Sequence, residues 1–184
     1  MLIAEKKKKY TIEDYLLLEE GAPFQLIQND LIMSPAPTSN HQIISGRILQ
    51  LMMNFLDNIN DNNFVVASPI DVIFDGDNAF QPDIVYVSAA RRAEIVKDRI
   101  EGAPDMVIEI LSASNAYYDL RQKKQVYEKY GVKEYIIVDP IEESAELYLL
   151  DNAVYRLQQK AFKTETLSSI ILPGLHFDLG RLFK

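Results

Sequence analysis

The chain has no cysteine and only two histidines. Lack of cysteine excludes disulfides and thiolate chemistry. A zinc centre, which favours His and Cys, also has little to draw on. No apolar run is long enough to cross a bilayer, so no membrane partner is expected. The opening "MLIAEKKKKY" lacks the order of a signal peptide, because its lysines follow a very short apolar piece. With cysteine absent, a cytoplasmic protein is the expectation. Positive charge is scarce as well: 19 Lys and Arg stand against 27 Asp and Glu, for a net charge of −8. That balance argues against a broad nonspecific phosphate-binding surface. It leaves room for a small basic groove, or for acids that await a metal cation.

What is present describes a folded chain. Hydrophobic residues make up 48% and charged residues 25%, and the length suits one domain over 1–184. "TIEDYLLLEEG" reads as a short helix capped by Thr11, with Asp14 at the capping-box position and Gly21 past its end. "FQLIQNDLIMS" reads as a hairpin around Gln28-Asn29-Asp30. From 40 to 60, Ile44, Ile48, Leu51, Met52, Phe55 and Ile59 share a helical face that His41 precedes. Strand-like runs follow at 64–68, 70–74, 83–87 and 105–111. A helix is expected from Asn115 to Tyr130, stopped by Gly131. "EYIIVDP" is a further strand, and "AELYLLDNAVYRL" a hairpin around Asp151-Asn152. The order predicts an α/β fold with a mixed sheet flanked by helices.

Two core-like strands carry acids. In "PDMVIEILSAS" the parity of a strand puts Asp105, Val107, Glu109 and Leu111 on one face, and Met106, Ile108 and Ile110 on the other. In "QPDIVYV", Asp83 shares its face with Val85 and Val87. Buried carboxylates need ion partners, hydrogen bonds or a metal. The structural reading is strand-end acids that meet water or arginine. The functional reading is a site for Mg²⁺ or Mn²⁺, which prefer carboxylate oxygen. An Asp, a Glu on a later strand and a Lys two residues further would be the PD-(D/E)XK nuclease pattern. The third position here is Leu111, so the pattern fails at that member.

Longer stretches add a resemblance. "YTIEDYL", "LIMSPAPTSNHQ", "QPDIVYV", "PDMVIEILSAS", "YDLRQKKQVYEKYGVKEYIIVDP" and "LSSIILPGLHFDL" occur in this order over nearly the whole chain. Together they are similar to the Uma-two family of restriction-endonuclease-like proteins, a branch of the PD-(D/E)XK superfamily. The resemblance implies a restriction-endonuclease-like mixed sheet with an additional β-hairpin region. It implies a metal site on Asp83 and Glu109, and a catalytic lysine moved to the next helix, at Lys123. The activity implied is Mg²⁺- or Mn²⁺-dependent hydrolysis of nucleic-acid phosphodiesters, DNA foremost. The family usually has Glu and Gly where this chain has Gln25 and Asn29. Gln25 can hydrogen-bond but carries no charge, which keeps open a catalytically inactive nucleic-acid- or protein-binding scaffold. A homodimer would give a double-strand cutter its two sites.

Other residues carry simpler readings. Asp119 and Lys123 are spaced i,i+4, as in an exposed helix pair. Arg121 and Lys124 read as solvated or phosphate-facing, and Tyr127 as packing. His41 could hold a helix end or lie near the metal, and His176 is structural. Lys6–Lys9 form a charged arm. Arg91, Arg92, Lys97 and Arg99 form a basic segment that suits a solvated helix face better than a phosphate contact.

Overall fold

A computed structural model describes residues 8–19, 21–59, 62–112 and 116–184. Lys6, Lys7 and the expected helix start at Asn115 lie outside the described residues. The chain runs through α1 (Ile12–Leu16), β1 (Phe24–Ile27), β2 (Asp30–Met33), α2 (Ser39–Asn58), β3 (Phe64–Ala67), β4 (Val72–Asp75) and β5 (Asn78–Phe80). β6 (Ile84–Val87), α3 (Ala89–Ile95), β7 (Ile100–Glu101) and β8 (Met106–Ile110) follow. A π-helical turn, Tyr118–Lys123, then runs straight into α4 (Lys124–Tyr130). β9 (Glu134–Asp139), β10 (Ser144–Asp151), β11 (Val154–Phe162), β12 (Thr166–Ser168), β13 (His176–Asp178) and α5 (Leu179–Leu182) complete it.

Local chemistry explains several of these boundaries. Thr11 and Asp14 form the expected reciprocal capping box on α1. Gln28 and Asn29 both have positive φ, 51° and 67°, as a two-residue hairpin loop with the strands' own twist requires. The turn is therefore Gln28-Asn29, and Asp30 already belongs to β2. Thr38 caps α2, and His41 lies within its first turn rather than before it. The buried face of α2 is His41, Ile44, Ser45, Ile48, Met52 and Leu56. Ile59 lies past the helix end and is 47% exposed, so Leu56 takes the last buried place. Gly131 ends α4 in the left-handed region at φ 86°.

The fold is mixed α/β. One sheet has the order β11-β10-β9-β8-β6-β3, and a second has β2-β1-β5-β4-β7. In the first, β8 pairs antiparallel with β6 and parallel with β9. Both faces of β8 are covered. Met106, Ile108 and Ile110 pack with Ile44, Ile48 and Met52 of α2. Val107 packs with Val85, Val87, Tyr127 and Tyr135 on the opposite side. A strand covered on both faces reads as a continuous apolar run, which is why a lone Glu stands out in it. Joining parallel β8 and β9 requires a crossover. The π-helical turn and α4 supply it, and they lie over the face that carries Glu109.

Candidate active site

Asp105 and Glu109 share one strand face but have different partners. Asp105, just before β8, sits 2.7 Å from Lys133 and 3.4 Å from Arg91, and it accepts the Ser88 backbone N–H at 2.8 Å. Burial would raise its pKa, but Lys133 and the Ser88 contact outweigh this and hold it low. Its role is structural, and it occupies Arg91. Lys97 pairs with Glu101, and Arg92 bonds the Asn62 side chain. These three cations of the basic segment are thus engaged within the protein.

Glu109 is 2% exposed. Its Oε1 accepts from Lys123 Nζ at 3.0 Å and from Tyr127 Oη at 2.6 Å. Lys123 Nζ also lies 2.8 Å from Asp119 Oδ1, and both of those residues are buried. The i,i+4 pair expected on a surface is therefore turned inward. The π-helical turn gives it a course that the 3.6-residue periodicity of the sequence cannot announce. Tyr135 Oη anchors the turn by donating to the Asp119 carbonyl at 2.9 Å. Tyr127 packs edge-on against Phe80 at 5.6 Å and tilted against Tyr135 at 5.1 Å. Packing alone was expected of Tyr127, but its hydroxyl orients Glu109. The strand position two beyond Glu109 is filled by Leu111, which packs into the same apolar cluster.

Asp83 immediately precedes β6. Its Oδ2 accepts the Ile110 backbone N–H at 2.7 Å and lies 3.3 Å from His41 Nε2. His41 Nε2 is also 3.0 Å from the Ile110 carbonyl oxygen. Two acceptors around Nε2 place the ring proton there. Nδ1 has no hydrogen-bond partner among the described residues. Burial lowers the His41 pKa, but the Asp83 hydrogen bond and charge win, with a net upward shift. Gln25 is buried on β1; its Nε2 donates to Ser34 Oγ at 2.5 Å, and its Oε1 accepts the Gln81 N–H at 3.0 Å. A glutamate there could accept both, so the neutral amide costs the site a charge and not its hydrogen bonds.

Gln25, His41, Asp83, Glu109, Asp119 and Lys123 open on one cleft of about 710 Å³, which Ser34 and Thr38 also line. Burial, with the charges of Asp119 and Asp83, raises the Glu109 pKa to about 8 against the opposing pull of Lys123. Asp119 is raised by burial too. Lys123 is pushed above its ordinary value despite burial, because Asp119 and Glu109 hold it charged.

A stability consequence follows from these directions. A carboxyl raised on folding stabilises fully below its unfolded pKa, and loses that contribution as pH rises through the folded one. For Glu109 the window runs from 4.5 to about 8. Urea unfolding of metal-free protein is expected to show stability falling across it. His41 is shifted upward as well, so Glu109→Gln should shrink the fall rather than abolish it. A fall of equal size in the variant would refute the assignment.

The donor set fits a hard divalent cation. Asp83, just before β6, and Glu109 on the adjacent β8 supply carboxylate oxygens, and a cation would offset the burial that chiefly raises the Glu109 pKa and the like charges that add to it. No cluster of three or more His, Cys, Asp or Glu with metal-binding geometry occurs among the described residues. Mg²⁺ does not need one, because it keeps several waters and takes one or two carboxylates.

A mixed sheet flanked by helices, with Glu109 of β8 meeting Lys123 of the crossover and Asp83 just before the neighbouring strand, describes a restriction-endonuclease-like fold. The chain belongs to the Uma2 family, described as "putative restriction endonuclease", whose profile matches residues 12–180. A crystal structure described as a "putative nuclease belonging to DUF820", from Anabaena variabilis, superposes with a TM-score of 0.78 at 20% identity. The match covers 94% of this chain and 97% of that one. At that identity the likeness shows the fold alone. Comparison with curated proteins gave no match.

Proposed function

We propose that the protein is a metal-dependent endonuclease that hydrolyses phosphodiester bonds of DNA. The observation that carries this reading is the buried Glu109–Lys123–Asp119 cluster opening beside Asp83 into one cleft. Charges buried this deeply are costly to assemble for stability alone. Asp83 and Glu109 would hold Mg²⁺ or Mn²⁺, which when bound supplies a Lewis acid that acidifies water and offsets charge on the phosphoryl oxygens.

The chain's own groups have separate tasks. Tyr127 and Lys123 fix the rotamer of Glu109 through its Oε1. Lys123 contributes a fixed positive charge in a water-poor setting, where it stabilises the developing phosphorane electrostatically. Asp119 keeps that lysine protonated and aimed. His41 and the Ile110 N–H hold Asp83 in place. Each cleft acts on one strand, and a homodimer would supply the second for duplex cleavage.

The deciding experiment is a nuclease assay on plasmid and oligonucleotide DNA with Mg²⁺ or Mn²⁺. Wild type is expected to cleave, and Glu109→Gln, prepared identically, to lose at least about 100-fold in rate. Equal cleavage by both would point to a contaminant. Metal binding without cleavage of any nucleic acid would favour the scaffold reading.

A further inference from the structure

The π-helical turn, with Tyr117 directly before it, has two unlike faces. Its inner face sends Asp119 and Lys123 into the cleft. Outside, Tyr117 is 59% exposed and Leu120 43% exposed. The Arg121 guanidinium lies 5.8 Å from the Tyr117 ring centroid, and Tyr118 meets that ring edge-on at 5.5 Å. No acid pairs with Arg121 among the described residues.

That last point matters in an acidic protein. Many of the other cations are neutralised at home, as in Lys133 with Asp105, Lys160 with Glu146 and Lys163 with Glu143. A surface so arranged gains little from releasing phosphate counterions, the chief source of nonspecific duplex affinity. A nucleic acid on such a surface gains from a further force. Stacking of bases on aromatic rings is that force, and it needs unpaired bases, whose faces are free. An arginine beside the ring adds its charge to the stack and can meet the adjoining phosphate.

We infer that Tyr117 and Arg121 form a stacking platform for an unpaired nucleotide next to the scissile phosphate, so that the substrate is single-stranded or locally opened nucleic acid. The inference rests on the nuclease reading and narrows its substrate class. Arg121 of the platform and Lys123 of the site share the π-helical turn, which Tyr117 directly precedes, so a strand stacked outside is led over the rim into the cleft. Tyr117 is the stacking ring, Arg121 the phosphate contact, and neither touches the reacting atoms.

The test uses Glu109→Gln protein, which binds without cutting, and a short single-stranded deoxyoligonucleotide carrying 2-aminopurine, with its blunt duplex for comparison. The single strand is expected to bind more tightly than the duplex, with its fluorescence quenched by stacking. Adding Tyr117→Ala should weaken single-strand binding by about 5- to 150-fold and remove the quench. Tyr117→Phe should restore both, since stacking uses the ring and not the hydroxyl. Arg121→Gln should reduce the slope of log affinity against log salt by about 0.7, the value for one phosphate on a single strand.

Preferred duplex binding, no binding of either probe, or single-strand binding indifferent to Tyr117→Ala would overturn the platform. So would a Tyr117→Ala protein that binds normally but changes from dimer to monomer, which would assign the patch to self-association. The two readings fail separately. Cleavage by wild type with Tyr117→Ala silent in binding removes the platform and leaves the nuclease. Tyr117-dependent binding by a wild type that cuts nothing does the reverse.

Discussion

Lys123→Ala is expected to lower turnover by roughly 100-fold or more, the scale of losing one preorganised electrostatic group. The same change should destabilise the metal-free fold by about 3–5 kcal/mol, as when one partner of a buried ion pair is removed. The cause is visible in the geometry: the ammonium lies 3.0 Å from Glu109 and 2.8 Å from Asp119, and all three residues are about 2% exposed. Without the lysine, buried Glu109 and Asp119 lose their shared cation, so each holds a proton more firmly or the site opens to water. Mn²⁺ affinity should survive, because a metal cation offsets that loss. Lys123→Met, which keeps the volume, separates the two effects should the alanine variant fold poorly. Single-turnover cleavage and urea titration read them independently. Undiminished cleavage by a folded Lys123→Met protein would remove the lysine from the mechanism.

Metal alone is expected to raise the melting temperature. Ligand at about 100 times its Kd stabilises the folded state by about 2.7 kcal/mol. For a chain of this size each kcal/mol moves the midpoint by about 2–4 °C. A rise of about 5–10 °C with Mn²⁺, reversed by EDTA, is therefore expected of wild type. The double variant Asp83→Asn, Glu109→Gln should show almost none of it. Equal shifts in both proteins would mean that the cation binds elsewhere.

Part of this site is legible in the sequence, and the limit has a physical cause. Strand parity separates Glu109 from Ile108 and Ile110, because side-chain alternation is local geometry. The same parity cannot separate Glu109 from Asp105. Their difference lies in Lys133 and Arg91 on one side and in Lys123 and Tyr127 on the other, partners at 14 to 28 residues' distance. Lys123 came forward through family resemblance; its spacing from Asp119 reads equally well as a solvated pair. Helical periodicity predicts the inward row of α2 up to Met52, and fails at Ile59 because the helix stops first. The contact of His41 with Asp83 and Ile110 joins three separate elements, and no local pattern reports it. Gln25 is visible as a departure from the family, but its two hydrogen-bond partners are not.

The π-helical turn also governs which changes of chain length this protein can absorb. Successive residues of an α-helix are set about 100° apart around the axis. Removing one residue between Tyr118 and Lys123 would let the segment relax to ordinary α-helix, and Asp119 would swing round the axis relative to Lys123. The outward and inward faces would then exchange members, with a buried acid carried to the surface and an exposed side chain carried in. Substitutions on the outer face leave that phase untouched, whereas a single-codon deletion breaks it. The site thus tolerates new letters on the outer face of the turn but not a change in its count.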